Sequence, residues 1–236
     1  MKNKIGVALL ASLVTTTGFA EEKQNEWSGT GELGFVLSNG NTDTQTVTSK
    51  IDAVRDGEEW RQHVTLSGSG KSDSNVRTAE KYFAEGKLDR KLSDHYYLFG
   101  LTNYEKDRFS GFDHQANISA GFGRRALEDE TMTLDIELGL GVRFSETDAG
   151  DKEDDPVLRF AGDFNWEISE NSTFQQTLSV DAGDEGSVYK SLTSLKAQVT
   201  DDISLKASFE AKHTTDVPVG SKNTDTTTSL SLAYEF

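Results

Sequence analysis

The 236-residue chain has no cysteine. That excludes disulfides, thiolate metal sites, a cysteine nucleophile and redox chemistry through sulfur. It has no apolar run approaching the ~18 residues of a membrane helix, so any insertion into a bilayer must be as a barrel. It is also short of base. Twenty-four Lys and Arg face 40 Asp and Glu, a net charge of −16, which argues against nucleic acid because such a footprint needs clustered cations. No glycine-rich phosphate loop and no His-Glu metal motif is present. No cofactor and no metal is therefore expected. Hydrophobic residues make up 34% of the chain and there are two prolines. That apolar share is low for a soluble core but natural where half of each strand faces water.

What the chain does have is alternation. In the last eleven residues, Thr226, Thr228, Leu230, Leu232, Tyr234 and Phe236 share one parity, and Thr227, Ser229, Ser231, Ala233 and Glu235 the other. A period of two is a strand with one apolar and one polar face. About 9–11 tilted residues cross the hydrocarbon of a bilayer, and this stretch fits. Similar segments recur from Trp27 onward and add up to twelve strands. The strongest sets Leu134, Ile136, Leu138, Leu140 and Val142 against Thr133, Asp135, Glu137 and Arg143. The strand near Thr78–Leu88 is less clean, because Phe83 shares the charged parity of Lys81 and Glu85, and the facing of Tyr96–Glu105 is unassigned. Tight turns follow the even strands and longer loops the odd ones. That asymmetry predicts an all-β transmembrane antiparallel β-barrel of about 12 strands with short periplasmic turns, longer extracellular loops and both termini periplasmic. All three tryptophans, Trp27, Trp60 and Trp166, fall at periplasmic strand ends as an aromatic girdle. A soluble β-sandwich also has many short alternating strands, but it does not explain loops, girdle and terminal Phe together.

The N-terminus reads as a targeting segment. Lys2 and Lys4 precede the apolar run Ile5–Val14, and Gly18-Phe19-Ala20 offers small residues for cleavage after Ala20. The expected division is a signal peptide over 1–20 and a barrel over 21–236. A single membrane anchor is the alternative, but ten apolar residues are too few to span.

The polar parity predicts the lumen. Its charged candidates include Lys50, Asp52, Arg61, Asp135, Glu137, Arg143, Arg159, Asp163, Lys206 and Glu210, nearly balanced in sign and expected to pair in a low-dielectric interior. The negative excess then belongs to loops and turns. The stretch Glu146–Asp155 holds six acids and one Lys and is expected to be a solvated loop, since its spacing matches no calcium-loop pattern. Four histidines, His63, His95, His114 and His213, invite a search for a barrel hydrolase. His63 is inward near Ser67 and Ser69, but no orienting acid is identifiable from sequence.

Two segments carry a family resemblance: Gly31-Glu32-Leu33-Gly34 through Ser38-Asn39-Gly40-Asn41-Thr42-Asp43-Thr44, and Tyr104-Glu105-Lys106-Asp107-Arg108-Phe109-Ser110-Gly111-Phe112. With them the chain resembles the salt-induced outer-membrane protein family (YdiY-like). The resemblance implies an outer-membrane barrel, with expression in some members linked to salt, and supplies no activity and no site residues. The ending in Tyr234 and Phe236 resembles the closing strand of bacterial outer-membrane barrels, where a terminal Phe is read by the barrel assembly machinery. The expected partners are that machinery, outer-membrane lipid and lipopolysaccharide.

Together these readings predict a non-enzymatic outer-membrane barrel. Its expected role is a narrow polar channel for small ions or solutes, linked to envelope or salt stress, with a weak cation preference from acidic mouths. A non-conducting structural or surface-interaction barrel is the alternative, and a barrel-embedded hydrolase a third reading.

Overall fold

The computed structural model describes residues 26–38, 44–73, 76–218 and 221–236. The targeting segment and its cleavage point lie outside these residues. Twelve strands follow one another: β1 (Trp27–Ser38), β2 (Thr44–Asp56), β3 (Trp60–Asp73), β4 (Val76–Lys91), β5 (Tyr96–Asp107), β6 (Phe112–Glu128), β7 (Met132–Thr147), β8 (Lys152–Ser169), β9 (Ser172–Gly183), β10 (Gly186–Gln198), β11 (Ile203–Thr214) and β12 (Thr224–Glu235). Each pairs antiparallel with its chain neighbours, and β1 pairs with β12 to close the barrel. Closure leaves no sheet edge, which is the condition for strands to cross a membrane.

The alternation explains the facing. Leu33, Leu138, Leu140, Leu158, Leu230 and Leu232 all point outward and are each half or more exposed. An apolar belt of that extent on a soluble protein would be an aggregation surface; in hydrocarbon it is the stable arrangement. The closing seam registers Thr30–Gly34 on Ser231–Glu235. It ends in two 3.0 Å backbone bonds, Gly29 N–H to the Phe236 carbonyl and Phe236 N–H to the Gly29 carbonyl. The terminal aromatic residue thus completes the ladder as well as the belt.

The ends of the barrel differ from the expectation in one respect. Much of the predicted loop at the end away from the tryptophans is strand. β4, β6, β7 and β8 are 16, 17, 16 and 18 residues long, against the ~9–11 needed to cross. Hairpin pairing keeps satisfying backbone groups after the apolar alternation stops, so composition marks the belt's edge and not the strand's end. The acidic stretch is the clearest correction. Only residues 148–151 connect β7 to β8, turned by Gly150 at φ +90° with its N–H on the Thr147 carbonyl. Glu146 lies on β7, Glu153, Asp154 and Asp155 on β8, and Asp155 is buried inside.

β5 resolves the unassigned facing. Tyr97, Phe99, Leu101, Asn103 and Glu105 point inward and are buried; Tyr96, Leu98 and Tyr104 point outward. Space for the inward rings comes from glycines on the next two strands. A Cβ on Gly123 would sit 2.2 Å from the Tyr97 ring, and on Gly121 or Gly139 2.8 Å from the Phe99 ring. Phe83 of β4 also faces in. Its place on the charged parity is therefore real, not a break in pattern.

Candidate functional site

Every predicted inward charge faces the lumen, and most are paired. Near the tryptophan end Arg61 reaches Asp89 at 2.8 Å and Asp135 at 3.2 Å, and Arg125 meets Asp135 at 3.0 Å. Lys87 pairs with Glu137, which also accepts the Tyr97 hydroxyl at 2.9 Å. Lys206 binds Glu32 at 2.8 Å and Arg159 binds Asp181 at 3.0 Å. Lys50, His63 and Thr65 gather on Asp52, and the Thr177 hydroxyl donates to Asp163 at 2.8 Å. Pairing offsets the cost of withdrawing these charges from water, while Asp89 Oδ1 and Arg159 Nε are buried without a hydrogen-bond partner.

One level of the lumen is different, because its contacts join directly opposite strands. In a ring of twelve, β5 faces β11 and β4 faces β10. Glu105 on β5 binds Lys212 on β11 directly opposite. Its other oxygen lies 3.3 Å from Lys81 on β4 and 3.7 Å from Lys190 on β10. Lys81 also reaches Glu210 on β11 at 3.6 Å, and the Lys190 ammonium sits 5.2 Å over the Phe83 ring. Three lysines thus converge on one buried carboxylate and close the lumen to a neck. The space left there, between Glu105, Asn117, Arg143 and Lys212, is about 10 Å³, room for about one water molecule. The neck is made of side-chain ends, not of backbone.

Above it opens a vestibule of about 530 Å³. Six carboxylates line it, Asp148, Asp151, Glu153, Asp155, Glu185 and Asp216, against one guanidinium, Arg143, on its floor. Arg143 is fixed by Asp155 at 2.5 Å and by the Gly186 carbonyl at 2.7 Å. Four of the six acids belong to the stretch expected to be a solvated loop; folding the stretch into β8 turns Glu153 and Asp155 to the lumen.

Sequence reasoning missed Asp89, Asp155 and, above all, Glu105. Both faces of β5 are rich in apolar and aromatic residues, so hydropathy carries no facing signal. The glycines at 121, 123 and 139, all on the inward parity of β6 and β7, were the usable sign that large rings turn inward next door. For His63 the expectation needs correction, because an acid is present: Asp52 Oδ1 lies 3.0 Å from Nε2. Thr65 Oγ1 sits 3.5 Å from the same nitrogen and donates to Asp52 at 2.9 Å. In a nucleophilic triad acid and hydroxyl occupy opposite ring nitrogens, so this cluster is a hydrogen-bonded pair. Among the described residues no group of His, Asp and Glu could hold a metal ion.

Trp27, Trp60 and Trp166 all point outward at the short-turn end. Arg90 stacks 5.8 Å from the Trp60 ring, and Tyr234 and Phe236 join the same rim.

The family described as "Protein of unknown function, DUF481" matches residues 31–236. The uncharacterized protein YdiY of Escherichia coli (strain K12) is 27% identical over 229 residues, covering 94% of this chain and 88% of that protein. Among solved structures, the NanC porin superposes with a TM-score of 0.52 at 15% identity, over 89% of this chain and 99% of that one. The COG4313 outer membrane channel from Pseudomonas putida F1 gives 0.51 at 8%, over 95% and 100%. At such identities the two structures show a shared fold, that of outer-membrane barrels.

Proposed function

The chain belongs to the DUF481 family, and we propose on that premise that it is a narrow polar channel of the bacterial outer membrane, closed at rest by the neck. The observation that carries the reading is that Glu105 and its three lysines join opposite strands across the lumen beneath an acidic vestibule. The bridge is made of long side chains and not of backbone, so it opens without moving a strand. The long-strand end faces outward and both termini face the periplasm, where the assembly machinery meets Tyr234 and Phe236 on the last strand. No catalytic role is assigned to any residue. The vestibule carboxylates concentrate cations at the mouth, giving weak cation preference.

The experiment is planar-bilayer conductance of the refolded protein under a salt gradient, with Glu105→Ala/Lys212→Ala as partner variant. The double change removes an ion pair without altering net charge. Small or infrequent steps that grow in the double variant support a side-chain gate. A clear anion preference would assign selection to Lys81, Lys190 and Lys212 instead of the vestibule. A second reading, a non-conducting structural barrel, is favoured by Tyr97, Phe99 and Leu101 packing into the lumen. Silence from both proteins, with folding confirmed by a heat-dependent gel shift, would select it.

A further inference from the structure

At the long-strand end, the outward cations carried by the strands lie on one flank. The outward Lys and Arg side chains of β4–β8 and their connections there are Arg77, Lys106, Arg108 and Lys152, and the β11–β12 connection adds the exposed Lys222. Among the described residues of β9–β12 and β1–β3 the only outward-facing Lys or Arg is Arg55, at the tryptophan end.

Two of these cations are held side by side. Glu80 faces outward with Tyr82 and binds the Arg77 guanidinium through one oxygen. Arg108 Nη1 lies 3.4 Å from both Glu80 oxygens, and the Tyr82 hydroxyl donates to Oε1 at 3.4 Å. The Arg108 N–H bonds to the Glu80 carbonyl at 3.1 Å, which fixes the turn against β4. The carboxylate is buried at 8% exposure, whereas the Arg77 and Arg108 side chains are 59% and 60% exposed. The surface therefore presents guanidinium edges with the acid beneath them. Lys106, cross-strand from Tyr82, borders the pair.

Height identifies the ligand. Glu80 is ten residues along β4 from Arg90, which stacks on the Trp60 girdle. At ~3.3 Å per residue and a tilt near 40° that is about 25 Å, the height of an outer-membrane barrel's apolar band. The pair stands where the headgroups of the opposite leaflet begin. Guanidiniums bind phosphate oxygens in a fork, which is the arrangement best suited to this chemistry. We propose that Arg77 and Arg108, positioned by Glu80, form a docking site on the outside of the barrel for the phosphates of an outer-leaflet glycolipid. The proposal does not need the neck to conduct. It rests on the outward orientation of the long-strand end, which labelling of Asp151→Cys with a membrane-impermeant maleimide on intact cells tests separately.

The binding experiment is native mass spectrometry of the folded barrel in micelles. Its probes are bis-phosphorylated lipid A, the same lipid A with its phosphates removed, phosphatidylglycerol and inorganic phosphate. We expect a one-to-one adduct with the bis-phosphorylated lipid, on the order of 10-fold tighter than with the dephosphorylated one. Arg77→Gln/Arg108→Gln abolishes that preference. Arg108→Gln alone, which leaves the Arg77–Glu80 pair intact, loses part of it. A preference that is absent in the parent or persists in the double variant overturns the site. Equal binding of phosphatidylglycerol overturns the glycolipid assignment, and displacement by millimolar inorganic phosphate overturns the lipid source.

Discussion

Two walls enclose the lumen. The wall of β4–β8 turns inward large and charged side chains, Phe83, Lys87, Tyr97, Phe99, Glu137, Arg143 and Arg159, seated over glycines. The wall running from β9 through β12 and β1 to β3 sets its inward charges, such as Arg61, Lys206 and Lys212, among small hydroxyls, Thr177, Ser179, Ser194, Ser208, Ser231, Thr30, Thr48, Thr65 and Ser67. At the neck the contacts run between opposite strands, β5 and β11, and near the tryptophan end Arg61 on β3 reaches Asp135 on β7. The difference teaches that a barrel of this size is not uniformly filled. One side is packed as a protein core is packed, and the other borders polar space. On the outer face, Arg77, Lys106, Arg108 and Lys152 lie on the packed side.

The comparison can be broken most severely at the neck. Glu105→Gln leaves the buried Lys212 and the half-buried Lys81 and Lys190 around a neutral group, and unpairing buried charge costs about 3–5 kcal/mol. The matching change in the open wall, Glu235→Gln, touches a half-buried carboxylate bound to Lys196 and Ser204 and should cost about 1 kcal/mol or less. Urea midpoints of the two variants in micelles read the contrast, and equal losses would remove the special status of the neck. Next comes packing. A side chain at Gly121 would meet the Leu138 carbonyl at 2.2 Å and the Phe99 ring at 2.8 Å, so Gly121→Val should cost about 3 kcal/mol. Ser208→Val, in the wall of hydroxyls, loses one 2.6 Å bond to Ser229 and should cost about 1 kcal/mol. A tolerated Gly121→Val would mean that the rings of β5 are not held as described.

The smallest effect lies outside the walls, in the β6–β7 turn. The Thr131 and Met132 amides, at 2.9 and 2.7 Å from Asp129, hold its carboxyl below the usual aspartate range. A depressed folded pKa stabilises above the unfolded value of about 4 and is lost as pH falls through the folded one. Asp129→Ala should therefore lower the unfolding temperature slightly at pH 7 and make no difference once pH is below both values. A shift that persists in strong acid would mean that Asp129 acts by something other than its charge.

Much of this was legible in the chain. Twelve strands, the outward apolar series and the tryptophan rim follow from alternation, which is local and depends only on where successive side chains point. The inward parity of Lys81, Lys190, Lys212 and Glu210 was visible for the same reason. Alternation failed where both faces of a strand are apolar, as in β5, and where pairing outlasts the belt, as in β8. In the first case hydropathy does not separate ring against glycine from ring against lipid. In the second, strand hydrogen bonding needs no apolar residue to continue.

The sequence by itself determined that this protein crosses a membrane as a closed sheet, which side of most strands meets lipid, and which charges enter the lumen. Only the tertiary structure decided which of those charges meet. Glu105 and Lys212 are 107 residues apart, and nothing in the neighbourhood of either one names the other. They touch because closing twelve strands puts β5 opposite β11 at a diameter that two long side chains can span, a condition set by strand number and register together.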